Sequence, residues 1–191
     1  METLASKTVY INPWMEVRED SVRRSDGSTG IFGVVHCPDF AIVVPMDGDR
    51  LHLVEQYRYA QRRRGWEFPA GTLPGRAVGD PIDLAHRELR EETGLRAGRL
   101  MRLGTVDAAT GSLAQRGQVF LATELTAGEP EREPEEQDMR SAWFERARVE
   151  QMIRAGEITD AQSIAAYSLL LLHERAGAGD GRDAVRRGAG Q

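Results

Sequence analysis

An α/β fold, with a mixed sheet held between helices and an antiparallel strand ribbon in front of it, is what this 191-residue sequence predicts. Three observations point there. Residues 40–44, FAIVV, are apolar throughout, as a strand covered on both faces must be. Residues 81–93 have the marks of a helix, with Pro81 in its first turn, Asp83 early and Gly94 as a stop. The first 35 residues are short β-prone runs punctuated by Asn12-Pro13 and Asp26-Gly27, the latter a strong hairpin signal.

Taken in order, residues 1–8 carry no usable pattern and are expected to be loose. Residues 9–11 and 14–22 read as strands around the Asn12-Pro13 turn, and residues 30–35 as the return strand after Asp26-Gly27. A ribbon of this size has little core of its own, so it must lie on the main domain or on a second subunit. Strands follow at 40–44, 51–56, 100–106, 118–124 and 139–144, the last ending in Trp143-Phe144. Between two of them lies the Gly/Ser/Ala-rich loop 107–117. Residues 127–138 form a proline-punctuated acidic run with the composition of a mobile, solvated loop. Helices are predicted at 146–155 and 161–175, where Ile164, Tyr167 and Leu171 share one face. The expected organisation is a ribbon at 1–35, a main domain at 36–175, and a disordered tail at 176–191, which has no apolar periodicity.

Composition narrows the function. A net charge of -5 argues against a nucleic-acid partner and against an anionic membrane surface. No run reaches the ~18 apolar residues of a membrane span, and no basic-then-apolar leader opens the chain, so a cytoplasmic protein is expected. Cys37 is the sole cysteine, which excludes an intrachain disulfide and a cysteine-built zinc cluster. It reads as a small buried hydrophobe.

The chemistry concentrates on the helix at 81–93. Glu88, Glu91 and Glu92 fall three and four positions apart and share one face, with Ala85 and Leu89 on the other. Like charges at that spacing destabilise an isolated helix. Two readings are open: a solvated acidic face laced to arginines, or a site for Mg²⁺ or Mn²⁺, which take such oxygen ligands together with substrate phosphates. Upstream, Arg58, Arg62, Arg63 and Arg64 cluster in seven residues. Arg58 suits phosphate oxygens, with a structural ion pair as its alternative; the run 62–64 reads as a surface loop. Trp14 is either a core or dimer-contact aromatic or a ring that stacks on a substrate base.

The stretch WEFPAGTLPGRAVGDPIDLAHRELREETGL, residues 66–95, resembles the Nudix box. Arg87, Glu88, Leu89, Glu91, Glu92, Gly94 and Leu95 match its second half at every fixed position. Its first half departs: Gly79 stands where the box has Glu, and the loop from Gly71 to the helix is two residues longer than the consensus. The run YINPWMEVREDSVRRSDGSTGIFGVV, the QYR at 56–58 and GEITDAQSIAAYSLL resemble segments of the ADP-ribose pyrophosphatase-like subgroup, so the likeness covers residues 9–173.

That resemblance implies a Nudix-type α/β/α sandwich with a mixed sheet and an N-terminal ribbon that helps form a homodimer. It implies a hydrolase of a nucleoside diphosphate linked to another group. Its metal, Mg²⁺ or Mn²⁺, would be held by Glu88, Glu91, Glu92 and the Ala70 carbonyl, with Arg87 steadying a ligand. Arg58, Glu67 and Trp14 are the implied substrate contacts. An acidic pair expected before the strand ending in Trp143-Phe144 aligns with Glu135 and Gln137, so Glu135 or its neighbour Glu136 is the candidate general base. ADP-ribose, cleaved to AMP and ribose 5-phosphate, is the expected substrate. Another nucleoside diphosphate sugar such as a GDP-sugar is the close alternative, and a non-catalytic nucleotide-binding regulator the more distant one.

Overall fold

The computed structural model describes residues 1–73, 77, 79–132 and 134–187, with side chains for all of these except residues 135 and 178–187. At the N-terminus, β1 (Glu2–Ile11), β2 (Glu16–Arg23) and β3 (Thr29–His36) form an antiparallel ribbon. Asn12 makes the first turn: its side-chain oxygen accepts from the amides of Trp14 and Met15 at 2.9 and 2.8 Å. Asp26 caps the second, accepting from the Ser28 amide at 2.9 Å. Residues 2–8 are not loose, as the sequence suggests, but pair along β2. Every residue of β1 is exposed, so its order comes from backbone hydrogen bonds, which leave no apolar pattern to read.

The main sheet is built from β4 (Phe40–Asp47), β5 (Arg50–Arg58), β6 (Arg63–Glu67), β7 (Ala70–Thr72), β8 (Arg96–Asp107), β10 (Arg116–Thr126) and β11 (Arg140–Glu145). Its central order is β11-β5-β4-β10-β8, with β6 beside β5 and β7 beside β4. β4 and β10 run parallel and their other neighbours antiparallel, which makes the sheet mixed. The short β9 (Leu113–Ala114) joins β3 of the ribbon. The helices are α1 (Pro81–Thr93), α2 (Arg146–Ala155) and α3 (Ala161–Arg187).

The period of two in the central strands makes the layers. Ala41, Val43, Phe120 and Ala122 pack with Leu84, Ala85 and Leu89 of α1. Phe40, Ile42, Val44, Val119 and Leu121 face the other way, against Val149 and Met152 of α2 and Ala166, Tyr167 and Leu170 of α3. This is an α/β/α sandwich, and its two apolar layers explain why 40–44 lacks a polar face.

Two further expectations change. Arg63 and Arg64 belong to β6 rather than to a surface loop; the turn before them is tight, with Arg62 at φ 53°. Helix α3 begins at Ala161, as the sequence predicts, and extends to Arg187. The acidic run at 127–138 is solvated, with most of its described residues exposed, but it is tethered to the fold. The Glu131 amide donates to the Glu91 carbonyl at 3.0 Å, and the Glu131 side chain lies 3.3 Å from Arg90 and 3.5 Å from Arg96. The last carbonyls of a helix lack internal partners, and this loop supplies donors to them. Among the described residues no helix is long and apolar enough to cross a membrane.

Candidate active site

Helix α1 starts cleanly. Asp80 caps it by accepting from the Ile82 amide at 2.9 Å, and Pro81 follows in the position where its missing N–H costs nothing. It stops at Gly94, which adopts φ 75° and donates to the Arg90 carbonyl at 2.9 Å. A side chain at Gly94 would also collide with the backbone of Gly128, so this glycine admits the 127–138 loop to the helix end. Burying Leu84, Ala85 and Leu89 fixes the rotation of α1 and turns Glu88 and Glu92 toward the loop after β6.

That loop, Phe68-Pro69-Ala70, is held from three sides. The Phe68 amide donates to the buried Ser163 Oγ at 2.9 Å, the Val43 amide to the Pro69 carbonyl at 2.9 Å, and the Ala70 amide to Glu92 Oε2 at 3.2 Å. The Glu88 carboxylate lies where a Cβ on Gly71 would have to go, so only glycine lets it sit against the strand. A cleft of ≈ 1160 Å³ opens here, lined by Trp14, Arg58, Glu67, Ala70, Glu88 and Glu136 among others.

The electrostatics of the cleft wall are acidic. Glu92 is 1% exposed, and its pKa is pushed well above the usual carboxylate range, first by burial and then by the charges of Glu88, Glu136 and Glu67. Glu67, also buried, is shifted upward by desolvation against the opposing pull of Arg58. Arg58 reaches it with Nη2 2.9 Å from Oε1 and Nε donating to Oε2 at 3.2 Å. Only the second contact has hydrogen-bond geometry, so Glu67 Oε1 counts as buried without a hydrogen bond. Arg87 Nε donates to both carboxylate oxygens of Glu91, at 3.0 and 2.9 Å.

These donors fit a hard divalent cation. Carboxylates crowded into a desolvated wall raise one another's energy, and a cation taking oxygen ligands relieves that. Glu88 and Glu92 already face the Ala70 loop, while Glu91 is turned onto Arg87. Among the described residues no three His, Cys, Asp or Glu side chains converge on one point.

Of the residues singled out by sequence, Trp14, Arg58, Glu67, Ala70, Glu88 and Glu136 share the cleft. Glu92 stands behind its wall, and Arg87 and Glu91 pair beside it. Trp14 is 68% exposed, which removes the core alternative for it within one chain. Arg58 is ion-paired and also lines the cleft. The side chain of Glu135 lies outside the described residues, as does most of the lengthened loop before α1. Sequence reasoning missed Arg64, Gln115, Asp160 and Gln162, all of which line the cleft. Asp160 caps α3, accepting from the Ser163 amide at 2.7 Å. A capping Asp ahead of an apolar helix was the one signal available for it.

Comparison with known proteins agrees with this geometry. Residues 35–167 match the family model of the NUDIX domain, and residues 1–35 match the nucleoside diphosphate sugar hydrolase N-terminal domain. The chain is 38% identical over 175 residues to an ADP-ribose pyrophosphatase of Mycobacterium tuberculosis, covering 90% of this chain and 83% of that protein. It is 27% identical over 177 residues to an ADP-ribose pyrophosphatase of Bacillus subtilis, covering 91% and 94%. A CMP-5'-(N-acetyl-N-hydroxy-3-aminopropyl)phosphonate hydrolase of Streptomyces rubellomurinus is 27% identical over 168 residues, covering 86% and 79%. The crystal structure of an ADP compounds hydrolase superposes with a TM-score of 0.78 at 20% identity over 93% of this chain and 94% of that one, a likeness of fold.

Proposed function

This chain belongs to the Nudix family and is a nucleoside-diphosphate-X pyrophosphatase in kind; from that premise we propose that it hydrolyses ADP-ribose to AMP and ribose 5-phosphate, with Mg²⁺ or Mn²⁺ at the acidic wall. The observation that carries the reading is one cleft lined by Glu88, Glu136, Trp14 and Arg58, with buried Glu92 behind its wall. Glu88, Glu92 and the Ala70 carbonyl would hold the metal, joined by Glu91, which Arg87 steadies. When bound, the metal supplies charge neutralisation at the phosphoryl oxygens and a lowered pKa for the attacking water.

The chain's own residues do the rest. Arg87 sets the rotamer of Glu91. Glu136, which lines the cleft and lies close enough to Glu92 for their charges to interact, orients the water and takes its proton; Glu135 is the alternative on the same turn. Arg58, steadied by Glu67, contacts the pyrophosphate. Trp14, exposed at the cleft, offers a face on which an adenine ring can stack. The reading extends to a homodimer through the ribbon, which displays Leu4, Val9, Tyr10, Ile11 and Ile31 to solvent. It also keeps the domain limits 1–35 and 36–175 and a cytoplasmic setting.

The match of residues 1–35 to a nucleoside diphosphate sugar hydrolase domain favours one second reading, a sugar nucleotide such as a GDP-sugar. Assaying ADP-ribose, sugar nucleotides, dinucleotides and nucleoside triphosphates with Mg²⁺ or Mn²⁺ decides between them. The highest kcat/KM is expected for ADP-ribose, with AMP as product and no turnover after chelation. A higher value for a GDP-sugar would overturn the substrate, and turnover of none of the panel would overturn the enzyme.

A further inference from the structure

We propose that Arg64 is a positioning residue that clamps the turn carrying Glu136 over the cleft. The inference rests on the reading of that turn as the source of the general base. Arg64, on β6, makes four hydrogen bonds to two partners. Nε donates to Glu55 Oε2 at 2.9 Å and Nη2 to the Glu55 carbonyl at 3.1 Å, which fixes the fork to β5. Nη1 donates to Asp138 Oδ2 at 2.6 Å and Nη2 to the Asp138 carbonyl at 2.9 Å. The grip therefore reaches the main chain two residues beyond Glu136. The 3-10 turn Pro134–Glu136 is closed by the Met139 amide donating to the Glu136 carbonyl at 2.9 Å, and Met139 itself is buried.

The need for a clamp follows from charge. The loop carries Glu129, Glu131, Glu136 and Asp138, and Glu136 lines the same cleft as Glu88. Glu136 is close enough for its charge to hinder ionisation of Glu92. Left alone, such a loop would swing away from the acidic wall. Arg90, Arg96 and Arg132 hold its first half to the end of α1, and Arg64 holds the second. The planar fork bonds two side chains and two carbonyls at once, one acceptor more than the three N–H donors of a lysine ammonium can reach. Arg64 also lines the cleft, so a direct substrate contact is the rival role.

The test compares Arg64→Ala, Arg64→Lys, Asp138→Ala and the Arg64→Ala/Asp138→Ala double variant in the full chain. It uses Mn²⁺ with ADP-ribose, or whichever nucleotide of the panel is turned over, and takes Glu136→Gln as reference. Arg64→Ala is expected to lower kcat by about 10- to 100-fold with KM moved less than about threefold, since an interaction that only places a catalytic group acts on kcat. Asp138→Ala should lower kcat in the same direction, Arg64→Lys should recover part of the loss, and the double variant should be no worse than Arg64→Ala. Amide hydrogen exchange at residues 134–140 of the metal-free protein should quicken in Arg64→Ala, while exchange in α1 stays as in the parent. A raised KM at unchanged kcat with a silent Asp138→Ala would mean substrate contact and overturn the clamp. Unchanged exchange at 134–140, or additive losses in the double variant, would overturn it too. If Glu136→Gln keeps parental kcat, the base assignment fails by itself, and the exchange and kcat of Arg64→Ala still decide the clamp.

Discussion

The Ala70 amide donates to Glu92 Oε2 at 3.2 Å, so the loop after β6 and the acidic helix are joined through a carboxylate that is 1% exposed. This one bond sets a carbonyl-bearing loop and two acids of α1 at a shared wall. Glutamine at 92 can still accept from Ala70, but it carries no charge. Glu92→Gln should therefore lower kcat by about two orders of magnitude or more and weaken Mn²⁺ binding in calorimetric titration. The metal-free variant should melt a few degrees higher, roughly what relief of ~1 kcal/mol of burial and like-charge strain gives. Parental metal affinity and rate in this variant would end the metal role of the wall.

Ser163 acts on the same loop from the opposite side. Its Oγ, 2% exposed, accepts from the Phe68 amide at 2.9 Å. Ser163→Ala strands that amide in the core, which costs about 1–3 kcal/mol. Loss of stability in denaturant, accompanied by a kcat drop of about tenfold at a modestly changed KM, is expected, because the loop tethers Ala70. A stability loss with no change in kcat would show that the loop keeps its place without this tether.

Much of this arrangement was legible in the chain. The bounds of α1 were, since Pro81, Asp83 and Gly94 act through local backbone chemistry; the strands at 40–44 and 51–56 were, since burial on two faces leaves a continuous apolar run. The strand at 2–8 was hidden, because its side chains are all exposed. The docking of 127–138 was hidden for a related reason: it rests on backbone amides and on arginines 35 to 74 residues away, and spacing along a chain does not report such pairings. Arg64 shows the limit most clearly. Its neighbours Arg62 and Arg63 look identical in sequence, and only the fold gives it Glu55 and Asp138.

Stability should depend on pH through His52. This residue is 6% exposed, its Nδ1 has no hydrogen-bond partner, and burial lowers its pKa to about 4 from an ordinary 6.5. Between those values the unfolded chain takes up a proton that the folded chain refuses, so stability is full above about pH 6.5 and falls as pH drops toward 4. The effect is at most about 3 kcal/mol. The raised carboxyls of Glu67 and Glu92 work in the opposite sense, losing stability as pH rises, so the measurement must be a difference. Urea midpoints of the parent and of His52→Phe, which keeps the edge-to-face contact with Trp143, should diverge as pH falls from 6.5 to 4.5. Parallel curves would show that His52 titrates normally.

The ribbon poses the question of assembly. Val9, Tyr10 and Ile11 of β1 and Ile31 of β3 are each more than half exposed, an apolar set of the kind that interaction surfaces present. A second copy is the occupant expected here, and light scattering at micromolar concentration should give twice the 21.2 kDa chain mass. Ile31→Arg places a charge on the ribbon without touching the cleft, so it should shift the mass toward 21.2 kDa. The same variant links assembly to the site. Pro13 and Trp14, in the turn between β1 and β2, line the cleft, and a ribbon no longer fixed by a partner should hold them less well. KM should rise by several-fold while kcat changes little. A parent that scatters only as a 21.2 kDa species would refute the dimer. A monomeric Ile31→Arg protein with parental KM would instead show that each chain fixes its own Trp14 through the Asn12 turn alone.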